Sequence, residues 1–280
     1  MEKIQSAIAK ARAAREAQGR TQPAAGAAPG ADARMPGTAP ITSADAAWLT
    51  LADHAPKASL LKRNRIVTTG EVREGTAQFD ILRTKVLLQM RAQGWRRLAI
   101  TSPTPSCGKT TTALNLAYSL ARQSDLRVVL CEMDLRRPSL ARMLGIGEKR
   151  DFVATLRGEA DFASQAVRIG QNLAVGANRQ SVRNASELLQ SASVTEAIAR
   201  IEAQYDPSIF LFDMSPMMVS DDVMAFVGQT DCALLVAAAG TTTISQIDTC
   251  ERDLASQTNM LGVVMNKVRY MEADAGYEDY

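Results

Sequence analysis

This 280-residue chain has one histidine and no closely spaced cysteines, which argues against several kinds of catalytic and metal-binding site. The single histidine, His54, lies outside every motif described below, which argues against histidine-based catalysis and histidine metal sites. The four cysteines, Cys107, Cys131, Cys232 and Cys250, lie far apart and never in C-x-x-C spacing. We therefore expect reduced thiols rather than a metal site or disulfides.

Long apolar runs are also lacking. No segment approaches the roughly 20 consecutive apolar residues that span a bilayer, and the first residues lack the apolar core of a signal peptide. We therefore expect a cytoplasmic chain with no transmembrane segment of its own. The net charge of +2 is too small to indicate general attraction to nucleic acid, so no nucleic-acid partner is expected.

The N-terminal residues 1–17 are predicted to form a helix, because small and apolar residues recur there at helical spacing. These residues are Ile4, Ala7, Ile8 and Ala11. Only two of them carry large apolar side chains, so the face is too weak for stable insertion into a membrane. We interpret the segment as a partner-binding helix; a solvated, fraying terminus is the alternative.

Composition predicts three further regions. Residues 18–60 are expected to be a flexible linker, because the stretch up to Pro40 is rich in Ala, Pro and Gly and buries too little to fold. A folded domain is expected over residues 61–269. Residues 270–280 are expected to form an acidic, tyrosine-bearing tail.

Strand and helix signals alternate through the expected domain. Apolar runs that end in polar residues predict strands at residues 97–102, 127–134, 208–214, 232–238 and 260–268. Helices are predicted at Thr110–Arg122, Val194–Ala203 and Ser245–Ala255. Because the strands are continuously apolar, both of their faces should be buried. The sequence therefore predicts an α/β P-loop NTPase fold, a mostly parallel sheet with helices on both faces.

The stretch TSPTPSCGKTTTALNLA, residues 101–117, resembles a phosphate-binding loop of the pattern G-x-x-x-x-G-K-[ST], with Pro103 in place of the first glycine. It follows a predicted strand and opens a predicted helix, where backbone N–H groups can bind phosphate. Lys109 can reach the phosphates, and Thr110 can ligate Mg²⁺. The residues predicted to bind nucleotide here are Ser106, Cys107, Gly108, Lys109, Thr110 and Thr111.

Carboxylates follow two of the predicted strands, where a nucleotide-hydrolysing site needs them to hold Mg²⁺. Glu132 and Asp134 end VVLCEMD, and Asp213 ends IFLFD. A carboxylate in such a position can also be a helix cap or a solvated loop residue. Together with the phosphate loop, the three acids favour a catalytic site.

These elements together resemble the bacterial tyrosine kinase family, cytoplasmic ATPases that govern capsule and exopolysaccharide export. The resemblance covers residues 64–280. It extends from FDILRTKV through the phosphate loop to LRRP, the NASELLQS run, IFLFDMSP and LGVVMNKV. LRRP and SELL separate this family from septum-positioning and plasmid-partition ATPases of the same fold.

The resemblance implies a kinase that binds ATP and Mg²⁺ and phosphorylates tyrosines in the tail of a neighbouring subunit. By matching position, Lys109, Glu132, Asp134 and Asp213 would be catalytic. Thr110, Asp134 and Asp213 would hold the metal, and Asn266 would contact the adenine.

The resemblance further implies a membrane-embedded polysaccharide chain-length or export regulator as partner, recruitment to the inner face of the plasma membrane, and a homo-oligomer. The N-terminal helix on its linker is the expected contact with that regulator.

The tail YMEADAGYEDY supplies candidate phosphorylation sites at Tyr270, Tyr277 and Tyr280, three of the five tyrosines in the chain. Each phosphate would add about −1.5 to −2 charge among acidic neighbours and loosen a docked state. The alternative is an acidic, solubilising terminus that happens to contain tyrosines.

The sequence also departs from the family. Its second acidic motif usually begins with Asp, where this chain has Glu132. A helix that often carries one Glu and two Arg for ring assembly here has Ala77, Asp80 and Arg83. These departures favour an alternative, a nucleotide-switched scaffold that transfers little phosphate to tyrosine. A partition-type ATPase acting on DNA is a third hypothesis, which the near-neutral charge and the lack of a basic stripe oppose.

Overall fold

Eight strands form one sheet in the computed structural model, which describes residues 42–67 and 76–268. The strands are β1 (Ala52–Asp53), β2 (Arg97–Ser102), β3 (Val128–Glu132), β4 (Ala166–Ile169), β5 (Leu173–Gly176), β6 (Ile209–Pro216), β7 (Cys232–Ala238) and β8 (Asn259–Asn266). Their order across the sheet is β1-β4-β5-β3-β6-β2-β7-β8. Every neighbouring pair is parallel except β4 and β5. The expected fold class is confirmed.

Eleven α-helices connect or flank these strands in the described ranges. They are α1 (Ser43–Thr50), α2 (Ala58–Arg63), α3 (Thr76–Gln93), α4 (Lys109–Ala121), α5 (Leu140–Leu144), α6 (Phe152–Leu156), α7 (Phe162–Gln165), α8 (Ala185–Gln190), α9 (Ala192–Tyr205), α10 (Asp222–Phe226) and α11 (Ile244–Ala255). A 3₁₀ turn, Val227–Gln229, follows α10.

The central strands are buried on both faces, because successive side chains of a strand point to opposite sides of the sheet. In β6, Phe210 and Phe212 join a core that includes residues of α9, α10 and α11. Ile209 and Leu211 join a second core that includes residues of α3 and α4. Continuous apolar runs such as IFLF are the consequence of having two cores.

The boundary expected for the linker is wrong at its C-terminal end. Residues 42–60, at the start of the described part of the chain, contain α1, β1 and the start of α2. Thr42 caps α1: its hydroxyl accepts a hydrogen bond from the Asp45 backbone at 3.1 Å, and its own backbone N–H donates to the Asp45 carboxylate at 2.7 Å. Such a capping box satisfies amides that a helix start leaves free.

Trp48 shows why these residues fold onto the domain. Its indole N–H donates to the carbonyl oxygen of Tyr205 at 2.8 Å, and its ring meets the Tyr205 ring edge to face, with centroids 6.3 Å apart. The Arg127 guanidinium lies 5.6 Å from the centre of the Trp48 ring. Residues 42–60 are attached to the domain mainly through the Trp48 side chain. Their sequence therefore shows no apolar periodicity from which the attachment could be predicted.

Several other expectations have definite outcomes. The five predicted strands and three predicted helices are present, with ends shifted by a few residues. The short strands β1, β4 and β5 were not predicted. The expected helix over residues 1–17, the linker up to residue 41 and the tail with Tyr270, Tyr277 and Tyr280 lie outside the described residues.

Replacing Trp48 with Ala is expected to lower the free energy of unfolding by about 3 to 5 kcal/mol, because it removes a buried ring and a buried hydrogen bond. The adjacent Leu49 is 67% exposed, so Leu49→Ala should change it by less than about 0.5 kcal/mol. Urea denaturation followed by circular dichroism measures both. Equal, small effects would contradict the attachment of residues 42–60 to the domain.

Candidate active site

The loop between β2 and α4 turns at two residues with left-handed backbone, Ser106 (φ 64°) and Gly108 (φ 95°). A Cβ atom at Gly108 would lie only 2.1 Å from Nδ2 of Asn266, so this position requires glycine. The same Nδ2 donates a hydrogen bond to the carbonyl oxygen of Cys107 at 2.8 Å. Asn266, at the end of β8, therefore braces the phosphate loop. Its contact with adenine stays a prediction.

The start of the loop is held by residues at the end of β6. The backbone N–H of Met218 donates to the carbonyl oxygen of Pro103 at 3.0 Å. The Thr101 hydroxyl donates to the carbonyl oxygen of Ser215 at 2.7 Å. Pro103, which replaces the usual first glycine, thus lies in a loop that is fastened to the strand carrying Asp213.

Lys109, the first residue of α4, brings two of the predicted acids together. Its ammonium donates to the Asp134 carboxylate at 2.7 Å and lies 3.8 Å from Oδ1 of Asp213. It also lies 3.3 Å from the Thr110 hydroxyl. Burial by itself lowers the pKa of Lys109, but the charges of Asp213 and Asp134 outweigh it and raise the pKa above the usual value. The ammonium is therefore charged.

Asp213 is fully buried, and neither of its carboxylate oxygens accepts a hydrogen bond from the described residues. Burial raises its pKa, while the charge of Lys109 opposes the rise. Buried carboxylates of this kind are costly unless they are paired with a cation. Both oxygens lack a hydrogen bond, and Oδ1 lies 3.8 Å from the Lys109 ammonium, so the carboxylate can bind a further cation such as Mg²⁺, which prefers oxygen ligands.

Asp134 lies beside Asp213 because of the sheet register. Glu132 pairs with Asp213 across β3 and β6, and the backbone N–H of Asp134 donates to the Asp213 carbonyl at 2.9 Å. In the described part of the chain, no group of three or more His, Cys, Asp or Glu side chains could hold a metal by itself. A magnesium ion here would need the Thr110 hydroxyl, phosphate oxygens or water in addition.

The other predicted loop residues lie in the same place. Thr110 and Thr111 are partly exposed in the first turn of α4. The buried Cys107 thiol lies 3.4 Å from the Thr104 hydroxyl and 3.6 Å from the Thr242 hydroxyl. Burial opposes ionisation, yet these hydroxyls hold the pKa of Cys107 below its usual value.

Glu132 is placed differently from the other predicted acids. One of its carboxylate oxygens accepts hydrogen bonds from the backbone N–H groups of Ser139 and of Leu140, the latter at 2.8 Å. The other accepts from the backbone N–H of Asn178 at 2.7 Å. Burial raises the pKa of Glu132 to about 8, although the three amides oppose the rise. The carboxylate fastens the start of α5 and the second residue after β5 to the end of β3.

Two contacts at this edge were missed by the sequence analysis. The Asn178 side chain donates to the Glu132 carbonyl at 2.9 Å. Arg136, in LRRP, forms two hydrogen bonds of 2.8 and 2.9 Å with the fully buried carboxylate of Asp222 at the start of α10. The sequence shows two adjacent acids, Asp221 and Asp222, shortly after IFLFDMSP. That Arg136 binds one of them could be learned only from the tertiary structure.

Arg83 on α3, the residue that matches the assembly helix of the family, is bound within its own chain. It lies 3.3 Å from the Asp80 carboxylate and from the carbonyl oxygen of Ser119. Arg122 pairs with the same carboxylate. Asp80, which replaces an arginine of the family pattern, therefore draws Arg83 towards α4.

No helix within residues 42–67 and 76–268 has both the length and the apolar character needed to cross a membrane.

Comparison with known proteins gives the family and the relatives of this chain. Residues 98–279 match the family model of the CobQ/CobB/MinD/ParA nucleotide binding domain. The tyrosine-protein kinase YwqD of Bacillus subtilis (strain 168) is 28% identical over 213 residues, which cover 75% of this chain and 88% of YwqD. The succinoglycan biosynthesis transport protein ExoP of Rhizobium meliloti (strain 1021) is 29% identical over 191 residues, which cover 66% of this chain but 24% of ExoP.

Among solved structures, the kinase domain of the Escherichia coli tyrosine kinase ETK superposes with a TM-score of 0.65 at 22% identity. The match covers 82% of this chain and 94% of that domain. The resemblance to bacterial tyrosine kinases is confirmed by these relatives. Since the family model spans well over half of its length, the chain belongs to the CobQ/CobB/MinD/ParA nucleotide-binding domain family.

Proposed function

We propose that this protein is an ATP-dependent tyrosine kinase that phosphorylates the tail of a neighbouring copy. The observation that carries the proposal is the grouping of the Lys109 ammonium with Asp134 at 2.7 Å and Asp213 at 3.8 Å, beside the phosphate loop. Phosphoryl transfer requires mainly positioning and charge stabilisation, and this group supplies a cation and two acids.

ATP fits the loop because amides at the start of α4 and the Lys109 ammonium can bind its phosphates. Thr110, Asp134 and Asp213 would hold Mg²⁺, whose charge, when bound, would stabilise the negative charge that develops on the transferred phosphate. The free oxygens of Asp213 support this assignment.

The acceptor tyrosine must lose its phenolic proton as the phosphorus–oxygen bond to it forms and ADP leaves. Both oxygens of Glu132 already accept hydrogen bonds from backbone amides. Asp134 also accepts hydrogen bonds, from the Lys109 ammonium and the Arg137 backbone, but it lies beside the phosphate loop. Of the pair in the second acidic motif, Asp134 is therefore the residue that takes this proton. Glu132 acts as a positioning residue, which holds the segment that carries Asp134.

We further propose that phosphorylation regulates polymerisation and export of an exopolysaccharide. The relative YwqD is a tyrosine-protein kinase, and the relative ExoP is a succinoglycan biosynthesis transport protein. The membrane-embedded regulator as partner, and recruitment to the inner face of the plasma membrane, belong to the same proposal. Tyr270, Tyr277 and Tyr280 are the proposed acceptors.

A nucleotide-switched scaffold is the second candidate function. It is favoured by the Asp80–Arg83 contact, which engages the retained assembly arginine inside its own chain. Without a ring, delivery of a tail to a neighbouring site is less efficient, and ATP would act as a switch for partner binding.

The two candidates are separated by incubating the purified full-length protein with ATP and Mg²⁺ and mapping phosphate by mass spectrometry. We expect label on tail tyrosines and its loss in Lys109→Met, because that variant lacks the phosphate-binding cation. Lys85→Met, an exposed lysine on α3, is the matched control and should keep the label. Magnesium-dependent ATP binding with an unmodified tail would support the scaffold instead.

The roles of the two motif acids are separated by their amide variants. Asp134→Asn should lower the phosphorylation rate by about 100-fold or more, because it removes the proton acceptor and a carboxylate ligand of Mg²⁺. Glu132→Gln should lower the rate by less than about tenfold at a temperature where the variant is folded. Single-turnover rates over a pH range measure both. A loss in Glu132→Gln as large as in Asp134→Asn would contradict the positioning role.

Glu132 should also make stability depend on pH. Because its pKa is raised from 4.5 to about 8 in the folded protein, the folded state binds more protons between these values. The contribution of Glu132 to the free energy of unfolding therefore becomes smaller as pH rises from about 4.5 to about 8. In the natural protein, the free energy of unfolding should fall by up to about 1.4 kcal/mol per pH unit over this range because of Glu132, and Glu132→Gln should lack this fall. Urea denaturation at several pH values measures it; an unchanged slope would contradict the raised pKa.

A further inference from the structure

A groove of about 550 Å³ lies between the segment after β1 and the end of α5, away from the nucleotide site. Its polar lining includes His54, Lys57 and Arg63, and its apolar lining includes Leu60 and Leu144. The groove therefore combines cations with aliphatic surface. This combination suits an acidic peptide that carries large side chains.

The groove lies in an unusually basic segment. Residues 54–65, HAPKASLLKRNR, contain two lysines, two arginines and the single histidine but no acid. Among the residues that the structure describes, no carboxylate forms an ion pair with Lys57, Lys62, Arg63 or Arg65. By contrast, Arg83, Arg96, Arg97, Arg122 and Arg127 all have such partners. The positive charge here is available to a partner.

The walls of the groove are held by hydrogen bonds between the two segments. The His54 ring contacts the carbonyl oxygen of Leu144 through Nε2 at 2.9 Å, and the His54 backbone N–H donates to the Arg168 carbonyl at 2.8 Å. The Asn64 side chain donates to the Met143 carbonyl at 2.9 Å. The cations are therefore displayed on a fixed surface, which reduces the entropy lost on binding.

We propose that this groove, the basic groove, binds the acidic tail of a second copy of this chain. Residues 270–280 contain Glu272, Asp274, Glu278 and Asp279 and no basic residue, so their charge is complementary. The aromatic rings of Tyr277 and Tyr280 suit the aliphatic lining. The other long segment outside the described residues has the wrong charge, since residues 1–20 carry five basic residues against two acids.

The tail of a neighbouring copy fits the groove better than the chain's own tail, which would have to be almost fully extended. β8 and β1 are the two outer strands of the eight-stranded sheet, seven spacings apart. At about 4.8 Å per spacing they are about 34 Å apart. When fully extended, the nine residues from Val268 to Tyr277 span at most about 31 Å and the twelve residues to Tyr280 at most about 41 Å. The chain's own tail would also have to pass around the domain, which lengthens its path.

Occupation of the basic groove would link copies in a head-to-tail manner without using the α3 helix. Among the cations of the basic groove, phosphate on Tyr277 would strengthen the contact, whereas beside acidic groups it would loosen a docked tail. The inference does not depend on the proposed kinase activity, because an unmodified tail already carries the complementary charge.

The test measures fluorescence anisotropy of a labelled peptide of residues 269–280 with the purified full-length protein. We expect saturable binding that Lys57→Glu/Arg63→Glu weakens at least about tenfold, and that a rise from 50 to 500 mM salt also weakens. The control Lys85→Glu/Arg252→Glu reverses two exposed charges on α3 and α11 and should leave binding unchanged. A peptide with its four acids changed to amides should bind at least tenfold more weakly.

Binding at the basic groove should persist in Lys109→Met and in saturating ATP and Mg²⁺, which separates it from binding at the nucleotide site. Loss of binding under either condition, or equal binding by both charge-reversal variants, would overturn the proposal. Salt-independent binding by the natural protein would overturn it even if the groove variant fails to fold. The proposal would also be overturned if the protein bound phosphatidylserine vesicles through Lys57 and Arg63 but did not bind the peptide.

Discussion

The placement of one ammonium group against two buried carboxylates is the constraint on which this site depends. Lys109 is buried beside Asp134 and fully buried Asp213. Buried ion pairs of this kind contribute little net stability, because the cost of removing the charges from water offsets their attraction. Their retention at the end of a sheet otherwise filled with apolar side chains is therefore best explained by function.

The rest of this edge keeps those charges in register. Glu132 binds three backbone amides from two segments, and Arg136 binds Asp222 with two hydrogen bonds. These contacts hold in place the loops that follow β3 and β6, the strands after which Asp134 and within which Asp213 lie. Asn266 does the same for the phosphate loop from the far side. Polar groups that are buried and satisfied in this way rigidify a site and hold its geometry.

The surface has a different electrostatic organisation. Arg83 and Arg122 share the carboxylate of Asp80, so the helix expected to present an assembly arginine keeps it within the chain. The basic groove, in contrast, presents cations that have no acidic partner in the described residues. A chain whose net charge is +2 can thus have both a distinctly positive surface and an acidic tail. Local charge distribution, more than net charge, determines which partners such a protein attracts.

The sequence by itself determined the fold class and predicted where a phosphate loop lies, because both depend on local patterns. Continuous apolar strands predict a buried parallel sheet, and Gly108-Lys109-Thr110 between a strand and a helix predicts a phosphate loop. Only the tertiary structure decided that Trp48 attaches residues 42–60 to the domain, that Glu132 faces amides, and that Asn266 braces the loop. The partners of Trp48 and Asn266 lie 157 and 159 residues away in the sequence, and one of the amides that Glu132 binds, that of Asn178, lies 46 residues away. No local periodicity records such a partner, since the packing of strands and helices alone determines which distant groups meet.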